Sequence, residues 1–548
     1  MCSEASFLHS GYSTYAKELL NRLYKSGKYE IAEFASYGIL GDPRDRDIPW
    51  TYYPNAVKEN DPRFGEYNNS GENAFGKWRF ERVVLDFMPD IVFDIRDFWM
   101  NSYQKFSVLR QFYNWVVMPT VDSRPQQEEW LDVYMDADAV LSYSDWGGQV
   151  LQDQTNNKIK YAGSASPAVD LDVFKPMDMK EARSQLRIPE SMKIIGSVMR
   201  NQKRKLIPEL MQSVRGLLDQ FELQNKELGQ DVYLYLHTSY PDAGWNLPNL
   251  LKEHSMGKRV LFTYVCKNCG KIHAHTFNHS IKNCPHCGQK TAVFPSVSEG
   301  VSTQQLSSIY NSFDIYVQYA ICEGFGMPQV EAGACGVPIV SIDYSAMSDI
   351  VRLLDGYIVQ PQTFFKELET EAYRVYPNND QLIYHLWTFF NLSKEEQLQK
   401  REKVRELTET HFNWDATANK WMKVFDEILA NPHRKHWSNI PPNYLAKLDI
   451  NEFRNFNKSY EAFQYICCDR MGSPQLLNNM MGLNLLKYSD YGYISNGMNI
   501  KKFNFQNLVE VYNKYMENQN LVKYAIANSH VLNGEDYIRY AHERQANK

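Results

Sequence analysis

The sequence predicts an α/β protein in which two parallel α/β layers face a cleft, with a cysteine-rich insertion in the second layer and a mainly helical C-terminal module. Three observations carry this expectation. Residues 1–172 alternate helical patterns with short apolar runs, residues 173–430 resume that alternation after a break at Pro176, and two C-x-x-C pairs interrupt the second stretch at 266–290. A chain of 548 residues exceeds what one hydrophobic core supports, so several domains are expected.

In chain order, "YSTYAKELLNRLYKSG" has the spacing of an amphipathic helix, "PDIVFDI" reads as a buried strand, and "DADAVLSYS" as a helix end followed by a strand. After "AVDLDVFKPMD" the second layer starts with the strand "KIIGSVM", the helix "KLIPELMQSVRGLLDQF" and the strand "DVYLYLHT". The alternation returns at "QQLSSIYNSFDIYVQYAICEGFGMP". In "FNWDATANKWMKVFDEIL", Trp414, Ala418, Trp421, Phe425 and Ile428 fall at helical intervals, and "NPHRKHWSNIPPN" then reads as a linker. Residues 431–548, rich in Tyr and Asn, read as a separate module without a catalytic motif.

Hydrophobic residues make up 43% and charged residues 23%, an ordinary globular composition with no apolar run long enough for a membrane span. The net charge of −6 argues against non-specific coating of nucleic acid. The N-terminal "MCSEASFLHSGYSTYAKELL" lacks the basic and apolar regions of a secretory signal. Of nine cysteines, Cys2, Cys322, Cys335, Cys467 and Cys468 stand outside the C-x-x-C pairs in no disulfide-like pattern, so a reducing, cytoplasmic setting is expected.

"ICEGFGMPQVEAGACGVPIVSID" holds Glu323 and Glu331 around a turn that Gly324 and Gly326 permit. Pro328 suits the start of a helix, which Gly336 and Pro338 end before the strand "IVSID". On this reading Glu331 lies in the first helical turn. The helix start favours a phosphate or diphosphate, and carboxylates accept hydrogen bonds from hydroxyls, so a nucleotide sugar would use the whole constellation. Upstream, "MRNQKRKL" places Arg200 and Lys205 at the C-terminal end of a strand, where open α/β sheets bind ligands. Cations there would neutralise a departing diphosphate.

"EGFGMPQVE" resembles the Glu, seven residues, Glu motif of retaining glycosyltransferases with the two-Rossmann B-type fold, and "SVMRNQKRK" resembles their Arg and Lys spaced five apart. "LHSGYSTYAKELL" looks like the family's N-terminal glycine loop, around Gly11, and "VDLDVFKP" like its interdomain joint. The resemblance implies an acceptor domain at 1–172 and a nucleotide-sugar domain at 173–430. It further implies Arg200 and Lys205 on the donor diphosphate, Glu323 on the transferred sugar and Glu331 on the ribose. Backbone groups of Gly324, Phe325, Gly326 and Met327 would surround sugar and phosphate.

Three places depart from the family pattern. Only "MC" precedes "SEASFLHSGYS", so the first strand is expected to be missing or very short. "DIRDFWM" carries Arg96 and Asp97 where many members have a histidine, and "SIDYSAMSDIV" has Ser345 and Ala346 in place of a glycine pair, leaving Asp349 as the acidic counterpart. The resemblance implies front-face attack assisted by the leaving phosphate, with Glu323 orienting sugar hydroxyls.

Cys266, Cys269, Cys284 and Cys287 match two zinc knuckles, and four thiolates suit a structural tetrahedral Zn²⁺. His273, His275, His279 and His286 are read as surface histidines. Four lysines, four histidines and no acidic residue lie between Cys266 and Lys290, which permits contact with nucleic acid, but a brace is the preferred reading.

The function expected is transfer of a sugar from a nucleotide-diphosphate donor to a hydroxyl of a glycan, lipid, protein or small-molecule acceptor. One alternative is glycosylation of a hydroxymethylated base in DNA, as some phage enzymes of this architecture perform. The other is an inactive zinc-ribbon scaffold that binds nucleic acid or protein.

Overall fold

The computed structural model describes residues 1–430 except 9, 40, 62, 108, 225–226, 279–280 and 297–299, together with 434, 435 and 437. The helical module expected after residue 430 lies, those three positions apart, outside the described residues.

The first layer is a seven-stranded sheet of β1 (Cys2–Glu4), β2 (Ala32–Ile39), β3 (Thr51–Ala56), β4 (Ile91–Ile95), β5 (Asn114–Met118), β6 (Ala139–Ser142) and β7 (Tyr161–Ser164). Its order is β3-β2-β1-β4-β5-β6-β7, and every pairing is parallel. Parallel strands covered on both faces must be apolar throughout, and every residue of β5 is buried. The first strand is present but only three residues long: Cys2 pairs with Phe34 on one side and Asp94 on the other.

The helix Gly11–Ser26 packs Tyr15, Ala16, Leu19, Leu20 and Leu23 inward. It starts where the Ser10 side chain accepts from the Ser13 amide, and it ends at Gly27 in the left-handed region.

The second layer contains β8 (Lys193–Val198), β9 (Val232–His237), β10 (Val260–Cys266), β11 (Ile272–Thr276), β12 (Lys282–Asn283), β13 (Lys290–Val293), β14 (Ile315–Gln318), β15 (Ile339–Ile342) and β16 (Tyr357–Val359). Its parallel part runs β10-β9-β8-β14-β15-β16, so the strand order reverses between β8 and β14. Loops leaving the C-terminal ends of these two strands diverge to opposite sides and open a ligand crevice.

The cysteine insertion grows from β10 itself, with β11 and β13 both antiparallel to it. It therefore continues the second sheet rather than hanging from a loop. A separate hairpin of β17 (Pro361–Lys366) and β18 (Tyr373–Pro377) follows β16.

The last described helix, Trp414–Ala430, returns to the first layer: Trp421 Nε1 donates to the Tyr15 hydroxyl at 2.8 Å, and Thr417 Oγ1 to the Ser166 carbonyl at 2.7 Å. All five apolar positions read from the sequence of this helix are buried. Trp421 and Phe425 of this helix pack on Phe93 of the first layer.

Candidate active site at the sheet crossover

Glu323 follows β14, and Lys205 follows β8, on the two sides of the crossover point. Their side chains, 118 residues apart in sequence, form a buried ion pair. Arg204 Nη1 reaches the other carboxylate oxygen at 2.8 Å, and Gln318 Nε2 donates to the first at 2.8 Å. Burial alone would push the Glu323 carboxyl up, but Lys205 and Arg204 outweigh it and hold the group down to about 2. It is therefore an ionised acceptor at neutral pH.

Arg200 does not join this cluster. Its guanidinium is half exposed and pairs with Asp242 at 2.9 Å, in the loop after β9. The cation next to Lys205 on Glu323 is Arg204, which sequence reasoning passed over although it stands in the same basic run. Spacing could not distinguish the two, because the choice depends on where the β8 and β9 loops meet. Those loops are pinned by Asn201 and Trp245, which exchange hydrogen bonds at 2.7 and 2.8 Å, and by Trp245 Nε1 donating to the Lys205 carbonyl.

The helix after the turn spans Met327–Ala334 with Gly326 as its cap, so Glu331 falls in the second turn, one turn deeper than expected. Gly326 has φ 103°, a conformation only glycine adopts cheaply. Glu331 accepts from the Tyr310 hydroxyl at 2.7 Å, and burial pushes its carboxyl up to about 7. Phe325 turns its ring inward against Phe412, so only its backbone is available to a ligand.

Gly324 lies against the first layer: a Cβ there would stand 2.3 Å from Thr120 Cγ2. Thr120 shares a 2.8 Å hydrogen bond with the Tyr12 hydroxyl, which donates to Asp97 at 2.7 Å. Tyr12 follows Gly11, the exposed first residue of its helix, so the N-terminal glycine loop and the glutamate turn face each other.

The departures from the family pattern now have places. Ser345 Oγ accepts from the Glu323 amide at 2.9 Å, which fixes the turn from behind. Asp349 accepts from the Trp146 amide at 2.7 Å and thereby caps the first-layer helix Asp145–Gln154. Arg96 is buried against Asp94 and donates to the Phe75 carbonyl at 2.5 Å.

A further contact across the cleft comes from the β17–β18 hairpin. Arg374 Nη1 lies 2.9 Å from Asp122 of the first layer and 3.0 Å from Cys322 Sγ, beside Glu323, while Nη2 holds Glu367 at 2.6 Å. A cavity of about 260 Å³ lined by Met1, Ile31, Phe93 and Phe425 opens instead at the N-terminal ends of the first-layer strands, the wrong rim for this fold's ligands.

The four cysteines of the insertion have sulfurs mutually within 4.8 Å, with Cys266–Cys287 and Cys269–Cys284 at 3.7 Å. Tetrahedral Zn–S bonds of about 2.3 Å require sulfurs roughly 3.8 Å apart, so the donor set fits a zinc ion. His273 is buried and stacks on Tyr264, and His286 Nε2 lies 3.0 Å from the Ile272 carbonyl. His279 lies outside the described residues. Gln305 Nε2, at the start of the helix Thr303–Asn311, donates to the Gly270 carbonyl of one knuckle. No helix among the described residues is long and apolar enough to cross a membrane.

Residues 296–370, which carry both glutamates, match the family model described as glycosyl transferases group 1. The UDP-N-acetylglucosamine–peptide N-acetylglucosaminyltransferase GtfA subunit of Streptococcus agalactiae is 34% identical over 62 residues, 11% of this chain and 12% of that relative. That match thus spans about an eighth of the relative's length.

Among solved structures, sucrose-phosphate synthase from Thermosynechococcus elongatus aligns with TM-score 0.52 and 16% identity over 77% of this chain and 94% of that one. A glycosyltransferase from Rickettsia africae gives 0.51 and 15% over 78% and 97%, and Anabaena HepE in complex with UDP gives 0.51 and 12% over 76% and 96%. Identities this low speak for the fold alone. The chain has the two-Rossmann B-type glycosyltransferase fold, and its glutamate turn lies in the segment that matches the group 1 model.

Proposed function

We propose that this protein is a retaining glycosyltransferase that moves a sugar from a nucleotide-diphosphate donor to a hydroxyl acceptor. The observation that carries the reading is the buried Glu323 carboxylate between Lys205 and Arg204 at the crossover of the second sheet. The group 1 match over 296–370 and the UDP complex of HepE support it.

Glycosyl transfer builds negative charge on the leaving diphosphate and positive charge on the anomeric carbon. Fixed cations therefore stabilise the transition state more than the ground state. Lys205 and Arg204, with Arg200 after release from Asp242, supply that charge. Glu323, held ionised, accepts hydrogen bonds from sugar hydroxyls and is a poor proton donor. Its cation pairing also makes it a poor nucleophile, which favours the front-face route. Glu331 takes the ribose. The contacts of Gly324 with Thr120, and of Arg374 with Asp122, close the cleft and keep water from competing with the acceptor.

The four-cysteine cluster is assigned a structural zinc that staples the edge of the donor-side sheet, and its growth from β10 supports the brace reading. Incubation with a panel of nucleotide sugars, reading released nucleotide and the anomeric configuration of the product, tests the function. Full transfer by Glu323→Ala, Lys205→Ala and Arg200→Ala alike would sink the site, and an inverted product would sink the retaining mode.

A further inference from the structure

Gln329 lies two residues before Glu331 and its side chain is wholly buried, yet neither atom of its amide has a hydrogen-bond partner among the described residues. Leaving a buried polar group unsatisfied costs about 1–3 kcal/mol. Methionine or leucine would fill the same space without that cost, so the amide calls for a use.

Its position indicates one. A Cβ on Gly326 would stand 2.6 Å from Gln329 Nε2 and 3.9 Å from Glu323 Cγ, so the amide and the Glu323 side chain occupy the same side of the glycine turn. Gln329 also closes that turn, its backbone N–H donating to the Gly326 carbonyl at 3.1 Å. The missing side chain at 326 thus leaves the amide on the Cγ side of Glu323, the residue assigned to the sugar.

The chemistry of the two atoms narrows the ligand. A diphosphate only accepts hydrogen bonds, so it would satisfy Nε2 and leave Oε1 unpaired. A sugar hydroxyl donates and accepts, and an acetamido substituent offers one group of each kind. We infer that Gln329 reads the transferred sugar of the donor, through a hydroxyl or acetamido group placed next to Glu323. This inference rests on the donor-site reading above and adds a sugar-selecting side chain to it.

The test separates sugar from phosphate. Wild-type protein and Gln329→Met are titrated calorimetrically with a panel of UDP-, GDP-, ADP- and CDP-sugars and with the matching sugar-free nucleoside diphosphates. The expected result is a nucleotide-sugar affinity lowered by about 10- to 100-fold, an unchanged nucleoside diphosphate affinity, and a ligand-free melting temperature equal to or above wild type. Should Gln329→Met fold poorly, Gln329→Leu provides the same reading.

Equal nucleotide-sugar affinity in wild type and variant would overturn the inference and leave the donor site standing. Parallel loss of sugar and diphosphate affinity would make Gln329 a general support and also overturn it. Failure of the wild type to bind any member of either panel would overturn the donor-site reading, and this inference with it.

Discussion

Two buried carboxylates, Asp94 and Glu323, sit near the C-terminal ends of β4 and β14, the fourth strand of the first sheet and the fourth of the parallel part of the second, and both face a cation. They serve opposite ends. Asp94 is 0% and Arg96 1% exposed, and Asp94 also accepts from Gln104 at 2.9 Å and from Trp115 Nε1 at 2.8 Å. Arg96 spends another hydrogen bond on the Phe75 carbonyl. This is a closed lock. Glu323 is nearly as buried, but its partner Arg204 is 43% exposed and Lys205 comes from a loop at the cleft. A buried ion pair by itself does not mark an active site; the proposed site differs from the Asp94 lock in having a partly exposed cation.

The largest expected effect separates the two. Glu323→Gln keeps the shape of the turn but removes the charge, and transfer should fall at least about 100-fold with the fold retained. Asp94→Asn should instead cost about 3–5 kcal/mol of stability, because it leaves Arg96 buried without a counter-charge. Urea denaturation and single-turnover transfer on both variants check the pair. A destabilised Glu323→Gln with normal turnover would erase the distinction.

Next in size is the ribbon. Cys284→Ser should abolish binding of the proposed zinc, measured by metal analysis, and lower the melting temperature, since two sheet strands are anchored through the knuckles.

A smaller effect distinguishes the cations. Arg204→Ala should reduce kcat/KM more than Arg200→Ala does, by about tenfold, because of the two arginines it is Arg204 that touches Glu323. The reverse order would show that Arg200 swings in from Asp242 as the main phosphate ligand.

The smallest effect concerns pH. Burial raises the Glu331 carboxyl from the ordinary value of 4.5 to about 7, so between these values it holds a proton that the unfolded chain has already released. Its contribution to stability is therefore present at low pH and is lost as pH rises toward 7. Donor binding has the opposite slope. If ribose hydroxyls donate to the carboxylate, affinity should rise by up to roughly tenfold per pH unit below about pH 7 and level off above. Titration calorimetry across this range, repeated on Glu331→Gln, should show the slope vanish in the variant.

Much of this was readable in the sequence. The helix Gly11–Ser26, strands β4, β8 and β9, and the helix Trp414–Ala430 all follow from apolar spacing, which is a local property. The glutamate turn was legible because glycine is needed at 326 whatever packs around it. Others were not. Gly324 looked like a turn residue, but it is kept small by Thr120 of the other layer. Arg96, in the place of a family histidine, could not be recognised as a core lock without Asp94, Gln104 and Trp115 around it. The Arg374 clasp joins residues 252 positions apart, beyond any periodicity.

The sequence by itself determined the alternation that makes two α/β layers, the knuckle spacing, and the turn with its two glutamates, because each is set by neighbours within a few residues. Tertiary structure alone decided which cation of the basic run meets Glu323, which buried carboxylate has only buried cations and which has a partly exposed one, and that the Gln329 amide is buried unpaired beside the turn. Those outcomes depend on which strand ends lie next to each other, and strand order in a sheet is fixed by long-range pairing that no local spacing encodes.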